Sequence, residues 1–180
     1  MHREIIILLK NGFEEIEALA PLDVLRRLNY DVELVSMTNS YIVESSHGVG
    51  IKADKMYDLE IINSNAIVIP GGMPGAINLR SDERVISLVK KFYEDHKLVA
   101  AICAGPIVLG KAGILGIETC TSYPGFEEAL NCKGYLNEDV VVSNNVITSR
   151  GPATAFKFAF SIAKYLGLDV SKLLESMLFN

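Results

Sequence analysis

The sequence predicts a doubly wound α/β fold: a mostly parallel sheet with helices on both faces. Three observations predict it. Strand-like runs alternate with helix-like runs along the chain. The run Leu98-Val99-Ala100-Ala101-Ile102 is continuously apolar, as a parallel strand buried on both faces requires. Turn-forming residues follow directly on three of the runs, at Asn11-Gly12, Pro70-Gly71-Gly72 and Ala104-Gly105-Pro106. Sheets of this kind place their sites at those strand ends.

In chain order, Glu4–Leu9, Asp31–Ser36, Ala66–Ile69 and Leu98–Ile102 read as core strands. Thr119-Cys120 is a short strand between helices. Val140–Val142 and Ile147–Ser149 are two more, joined by a turn at Asn144-Asn145. Helices are expected over Glu14–Asn29, Asp82–Asp95, Pro106–Ala112, Pro152–Leu166 and Val170–Leu178. Asp169 and Ser171 suit the cap of the last one. With 180 residues and no repeat, linker or low-complexity tract, one domain over residues 1–180 is expected.

Composition narrows the function classes. Hydrophobic residues make up 49% and charged residues 22%, an ordinary globular balance. The net charge of −5, without a basic cluster, argues against nucleic acid as a partner. No apolar run is long enough to span a bilayer, so no membrane partner is expected. Met1–Lys10 has the pattern of a strand rather than a signal peptide. The three cysteines are widely and irregularly spaced, fitting neither a disulfide framework nor a metal knuckle. A cytoplasmic location follows as the expectation. The three histidines have no metal-ligand spacing, and neither a metal nor a cofactor is expected. His2 and His96 read as surface residues.

Cys103 is the candidate nucleophile. It ends a buried strand and precedes Ala104-Gly105-Pro106 and a helix. Small residues permit a tight turn there, and Pro106 suits the first helical turn. Free backbone N–H groups and the positive end of the helix dipole are expected to favour thiolate over thiol. Strand, nucleophile and helix in this order carry the serine of α/β-hydrolases.

Glu17 is the candidate acid/base. Counting roughly 100° per residue, it shares a helix face with Ile16, Ala20, Val24 and Leu28, and Phe13 extends the stripe. Burying a carboxylate is costly, so Glu17 needs either a proton or a partner, and a neighbouring thiolate would raise its pKa further. Glu14 and Glu15 lie off the stripe and read as a solvated helix start. Ala18, Leu22 and Leu25 make the opposite side apolar as well. One side meets the sheet. The other meets either a second subunit, giving a homodimer through the Glu14–Asn29 helix, or a neighbouring segment of the same chain; the dimer is the preferred reading.

The turn Pro70-Gly71-Gly72-Met73-Pro74-Gly75 is either a simple tight turn or part of the site. If Gly72 approaches Cys103, its amide and that of Ala104 form an oxyanion hole. Arg150, in the turn Ser149–Thr154, is a candidate carboxylate partner or a cap of the turn, with the structural role preferred. Cys120 and Cys132 read as small buried hydrophobes, Cys120 being also a candidate to resolve an oxidised Cys103.

With these residues assembled, the chain resembles the ThiJ/PfpI superfamily, closest to its Parkinson-associated deglycase and bacterial ThiJ-like branch. The matching segments are Asn11-Gly-Phe-Glu-Glu-Ile-Glu17, Pro21-Leu-Asp-Val-Leu-Arg-Arg27, Ile69-Pro-Gly-Gly-Met-Pro-Gly-Ala76, Ala100-Ala-Ile-Cys-Ala-Gly-Pro106 and Thr148-Ser-Arg-Gly-Pro-Ala-Thr154. The resemblance implies a flavodoxin-like fold of the class I glutamine amidotransferase-like kind and a homodimer. It also implies a reactive Cys103, a protonated Glu17 and oxyanion amides at Gly72 and Ala104. The chain departs from the family at three places. Ala104 stands where the intracellular proteases have histidine, so peptide hydrolysis lacks its Cys-His pair. Tyr123-Pro124 stands where the deglycase has His-Pro, leaving a tyrosine hydroxyl to hold a substrate oxygen. His47 stands where that branch has a pocket arginine; it either reaches the partner's pocket or is a surface-turn residue, and the latter is preferred.

Three functions compete on this basis. The first is a cofactor-free enzyme of glyoxalase or protein-deglycase type. It acts on α-oxoaldehydes or glycated protein groups, with Cys103 as nucleophile and Glu17 as proton shuttle. The second is an oxidative-stress sensor or redox-regulated chaperone that works through oxidation of Cys103. The third, thiamine-precursor (thiazole monophosphate) metabolism, rests on the family name alone.

Overall fold

A computed structural model describes residues 4–179. The elements run β1 (Glu4–Leu9), α1 (Glu15–Arg27), β2 (Asp31–Ser36), β3 (Ile42–Glu44), β4 (Gly50–Lys52), β5 (Lys55–Met56), β6 (Ala66–Ile69), α2 (Gly75–Arg80), α3 (Glu83–Glu94), β7 (Leu98–Ile102) and α4 (Pro106–Ala112). They continue with β8 (Thr119–Cys120), β9 (Gly134–Tyr135), β10 (Val140–Ser143), β11 (Val146–Ser149), α5 (Ala155–Tyr165) and α6 (Ser171–Ser176). The central sheet has the order β10-β11-β7-β6-β1-β2-β5. Its pairs are parallel except β10–β11, which join antiparallel across the expected Asn144-Asn145 turn. Taking β1, β2, β6, β7 and β11 as strands one to five, the order is 2-1-3-4-5, the flavodoxin-like winding.

Alternation along β1 splits the core. Ile5, Ile7 and Leu9 face α1, α5 and α6, whereas Ile6 and Leu8 face α2, α3 and α4. All five are fully buried, each stabilising the fold by about 1.5–3 kcal/mol relative to exposure. The four core strands begin and end where the apolar runs do. The β3–β4 hairpin, β5, β9 and α2 lack such runs. Only Val43 of Ile42–Glu44 is buried, and α2 has six residues in a glycine-rich stretch. Asp169 accepts the N–H of Ser171 at 2.9 Å, as expected of the last helix start. His96 is exposed, and His2 lies outside the described residues. Among the described residues no helix is long and apolar enough to cross a membrane.

Two expectations for the first helix are corrected. The side formed by Ala18, Leu22 and Leu25 is buried within the chain itself, because α5 packs on α1 and brings Phe158, Ala159 and Ile162 into the same cluster. It therefore needs no second subunit to cover it. Ile16, placed by angle on the stripe of Glu17, is instead 50% exposed.

Candidate functional site

The site forms where β1, β6 and β7 end side by side. Cys103 follows β7 in the left-handed backbone region, at φ 62. A β-carbon is strained there, and such conformations persist when their surroundings fix them. Here the Cys103 N–H donates to the Ser149 carbonyl at 3.0 Å, and its carbonyl accepts the Tyr123 N–H at 2.9 Å. The turn leads into α4 with Pro106 in its first position, as the sequence predicts.

Glu17 is brought to the same point by α1. Glu14 is the N-cap, and its Oε2 accepts the Glu17 N–H at 2.8 Å. Glu14 is thus only 7% exposed, which corrects its expected place in a solvated helix start. The Glu14 N–H donates to the Gly71 carbonyl at 3.0 Å, and the Gly71 N–H donates to Glu17 Oε2 at 2.8 Å. These two bonds dock the start of α1 on the turn after β6. Glu17 is fully buried, and apart from the neighbouring Cys103 thiol its Oε1 meets no hydrogen-bonding group.

Gly71 is the residue that sequence reasoning missed. A β-carbon there would stand 2.6 Å from Glu17 Oε2, 2.7 Å from Cys103 Cβ and 2.9 Å from the Ala104 nitrogen. Only glycine lets the three meet. The adjacent Gly72 takes φ 87, and a β-carbon on it would strike the Glu14 nitrogen. The Pro70-Gly71-Gly72 doublet carried this signal, but the sequence gives no hint which glycine faces Glu17.

Electrostatics couple the two side chains. Burial raises the Glu17 carboxyl from its ordinary 4.5 to about 7; the nearby Glu14 charge adds to this, and the thiol and the Gly71 amide oppose it. Burial and then the Glu17 charge push the Cys103 thiol up to about 12, while the Ala104 and Gly72 amides pull it down. The sequence led to an expected thiolate from the amides and dipole alone; burial and an ionised carboxylate act against it. The opposing charge disappears once Glu17 holds a proton, so the position of one proton governs both groups.

Tyr123, Pro124 and Arg150 line a shallow cleft of about 250 Å³ together with Asp139 and residues 151–154. Tyr123 is half-exposed, and Arg150 is partly buried. His47 is elsewhere, exposed on the β3–β4 turn with Nδ1 3.0 Å from Glu15, which raises its pKa. The fold also gathers Glu14, Glu15 and His47 so that one ligand atom from each lies within 4.8 Å of the others. Histidine spacing alone could not reveal this cluster. Its groups are engaged by the Glu17 N–H and by the Glu15–His47 pair.

The Glu17 shift sets a pH dependence of stability. Below pH 4.5 the carboxyl is protonated both folded and unfolded. Between 4.5 and about 7 the unfolded chain releases a proton that the folded chain keeps, so stability falls as pH rises. The loss, roughly 3 kcal/mol, is complete above that window. Urea unfolding at pH 5 and pH 8 should show this slope in the wild type and a clearly smaller one in Glu17→Gln, where the raised pKa of His47 still contributes with the same sign.

Comparison with known proteins identifies the family and agrees with the fold. The DJ-1/PfpI family model matches residues 3–165. Protein DJ-1 homolog B of Arabidopsis thaliana is 36% identical over 176 residues, covering 94% of this chain and 40% of that protein. The chain thus spans less than half the length of that plant relative. The Deglycase PH1704 of Pyrococcus horikoshii is 31% identical over 166 residues, covering 91% of this chain and 99% of that one. The structure of oxidized Toxoplasma gondii DJ-1 superposes with a TM-score of 0.92 at 34% identity, covering 98% of each chain. A family match over most of the length, on a sheet wound in the same way, means that the chain belongs to the DJ-1/PfpI family.

Proposed function

We propose that the protein is a cysteine-dependent, cofactor-free enzyme acting on α-oxoaldehydes or their early adducts with protein groups. One observation carries this reading: a buried carboxyl with a pKa near neutrality adjoins a cysteine held at a strand-to-helix turn. A relative named as a deglycase supports the substrate class.

With methylglyoxal, Glu17 takes the Cys103 proton as sulfur adds to the aldehyde carbon. The Gly72 and Ala104 amides, which already bond toward the sulfur, hold the resulting oxyanion. Glu17 returns its proton to that oxygen. As carboxylate it then removes the hydrogen from the former aldehyde carbon as a proton and delivers it to the adjacent carbon, while the proton on the former aldehyde oxygen passes to the former ketone oxygen, which becomes the lactoyl hydroxyl. This leaves a lactoyl thioester on Cys103. Water hydrolyses the thioester, releasing lactate and the thiol. Tyr123 and Arg150 line the cleft beside this centre and are the candidate substrate contacts, with Pro124 as a wall. His47 is exposed and paired with Glu15, in keeping with a surface-turn residue.

Lactate formation from methylglyoxal tests the reading. Cys103→Ala should abolish it, and Glu17→Gln should lower kcat by at least about 100-fold, the scale of general acid–base catalysis. Activity surviving the cysteine change would reject the mechanism. A second reading, redox sensing, is favoured by Glu17 Oε1, which meets no group besides the Cys103 thiol and, when protonated, can donate to an oxygen added on sulfur. It is distinguished by mild peroxide treatment: selective addition of two oxygens at Cys103, weakened in Glu17→Leu, without lactate formation in untreated protein.

The chain also forms a homodimer in this reading, through the outer face at the start of α1. Ile16 is exposed there, as are Tyr41, Ile42 and Val49 on the β3–β4 hairpin. The hairpin turn is joined to α1 by Ser46 N–H to Phe13 O at 2.7 Å and by His47 to Glu15. Light scattering should give twice the chain mass for the wild type and the single mass for Ile16→Arg. A wild type that stays single at micromolar concentration would remove the dimer.

A further inference from the structure

Cys120 and Cys132 are twelve positions apart, yet the fold places their thiols together. The parallel pair β8–β9 sets Thr119 opposite Gly134 and Cys120 opposite Tyr135. Cys132 lies just before β9, and its thiol donates back to the Gly134 carbonyl at 3.3 Å. Both side chains pack into the same apolar cluster, Cys120 fully buried and Cys132 partly so. Burial, and after it the neighbouring Cys132 thiol, pushes the Cys120 thiol well above its ordinary pKa. From sequence, Cys120 is a candidate to resolve an oxidised Cys103; the structure gives it Cys132 as its neighbour instead.

We propose that Cys120 and Cys132 are a redox modification site distinct from Cys103, forming a reversible disulfide that ties the two ends of the loop over residues 121–131. Hydrogen peroxide is the oxidant. The more accessible Cys132 thiolate attacks one peroxide oxygen, giving a sulfenic acid and releasing hydroxide. The sulfur of Cys120 then attacks the Cys132 sulfur; the S–O bond breaks, and the hydroxyl leaves as water with the Cys120 proton. The two thiols lose two electrons and two protons, and the peroxide is reduced to two waters. Burial keeps the oxidant from Cys120 but also holds it as a thiol, so its proton leaves with the departing hydroxyl as the S–S bond forms.

The site is more than a chance proximity because of what the loop holds. Its Tyr123 N–H bonds the Cys103 carbonyl, its Thr121 N–H bonds Thr148 Oγ1 at 2.9 Å, and its Ser122 carbonyl accepts the Tyr135 hydroxyl at 3.1 Å. A cross-link at its base restricts the unfolded loop and stabilises the fold.

The test uses the Cys103→Ala protein, so the outcome is independent of the catalytic reading. After peroxide treatment, alkylation in denaturant and trypsin digestion, residues 112–133 form one peptide carrying both cysteines. That peptide should lose two hydrogens and take up no alkylating agent. A reductant should restore both thiols, and Cys132→Ser should not show the loss. The oxidised protein should melt about 6–12 °C higher than the reduced one, in keeping with closure of a short loop. Two alkylated thiols after a peroxide dose that oxidises Cys103 in the wild type would overturn the proposal. Sulfinic acid on Cys132 beside a free Cys120 would do the same.

Discussion

Backbone approach at Gly71 is the constraint on which the rest of the site depends. The helix start, the turn after β6 and the nucleophile all converge on a point with no room for a β-carbon. One N–H there bonds Glu17, and one carbonyl accepts from Glu14. These contacts bring a carboxyl into a dry environment that the apolar residues of α1 alone would not specify. Burial then raises its pKa, and the position of its proton alters the cysteine beside it. Local chain geometry therefore comes before chemistry: the acid and the sulfur interact because the main chain lets them approach.

The supporting architecture has the same economy. Three strand ends of a 2-1-3-4-5 sheet supply the first helix, the glycine turn and the nucleophile in turn. Cap and catalytic candidate are three residues apart on one helix, so Glu14 both starts the helix and fixes the amide of Glu17. Glu14 also places a negative charge near Glu17, which helps to keep that carboxyl protonated.

Much of this was legible in the sequence where one short segment carries the information. The four core strands are continuous apolar runs, and such runs have few other fates in a protein of this size. Cys103 and Glu17 stand out because each is the wrong kind of residue for its surroundings. What stayed hidden depends on contacts between distant segments. The apolar side of α1 could be read, but not that α5 covers it, since helix-on-helix packing leaves no local mark. Glu14 looks like a solvated residue until its capping bond is seen. Ile16 sits at the helix rim, where a small error in angle separates core from surface. The β3–β4 hairpin and α2 are too short and too exposed to show a period. Cys120 and Cys132 become neighbours only when β8 and β9 pair.

The peptide units on either side of Cys103 are pinned, one to a strand and the other to a loop. The main chain cannot swing aside when something attaches to the sulfur. Rotation about the Cα–Cβ bond is what is left to accommodate an adduct, with the Glu17 carboxyl and the Ala104 and Gly72 amides beside the sulfur. An adduct formed on the sulfur in the proposed reaction is therefore oriented by side-chain rotation and not by movement of the nucleophile's backbone.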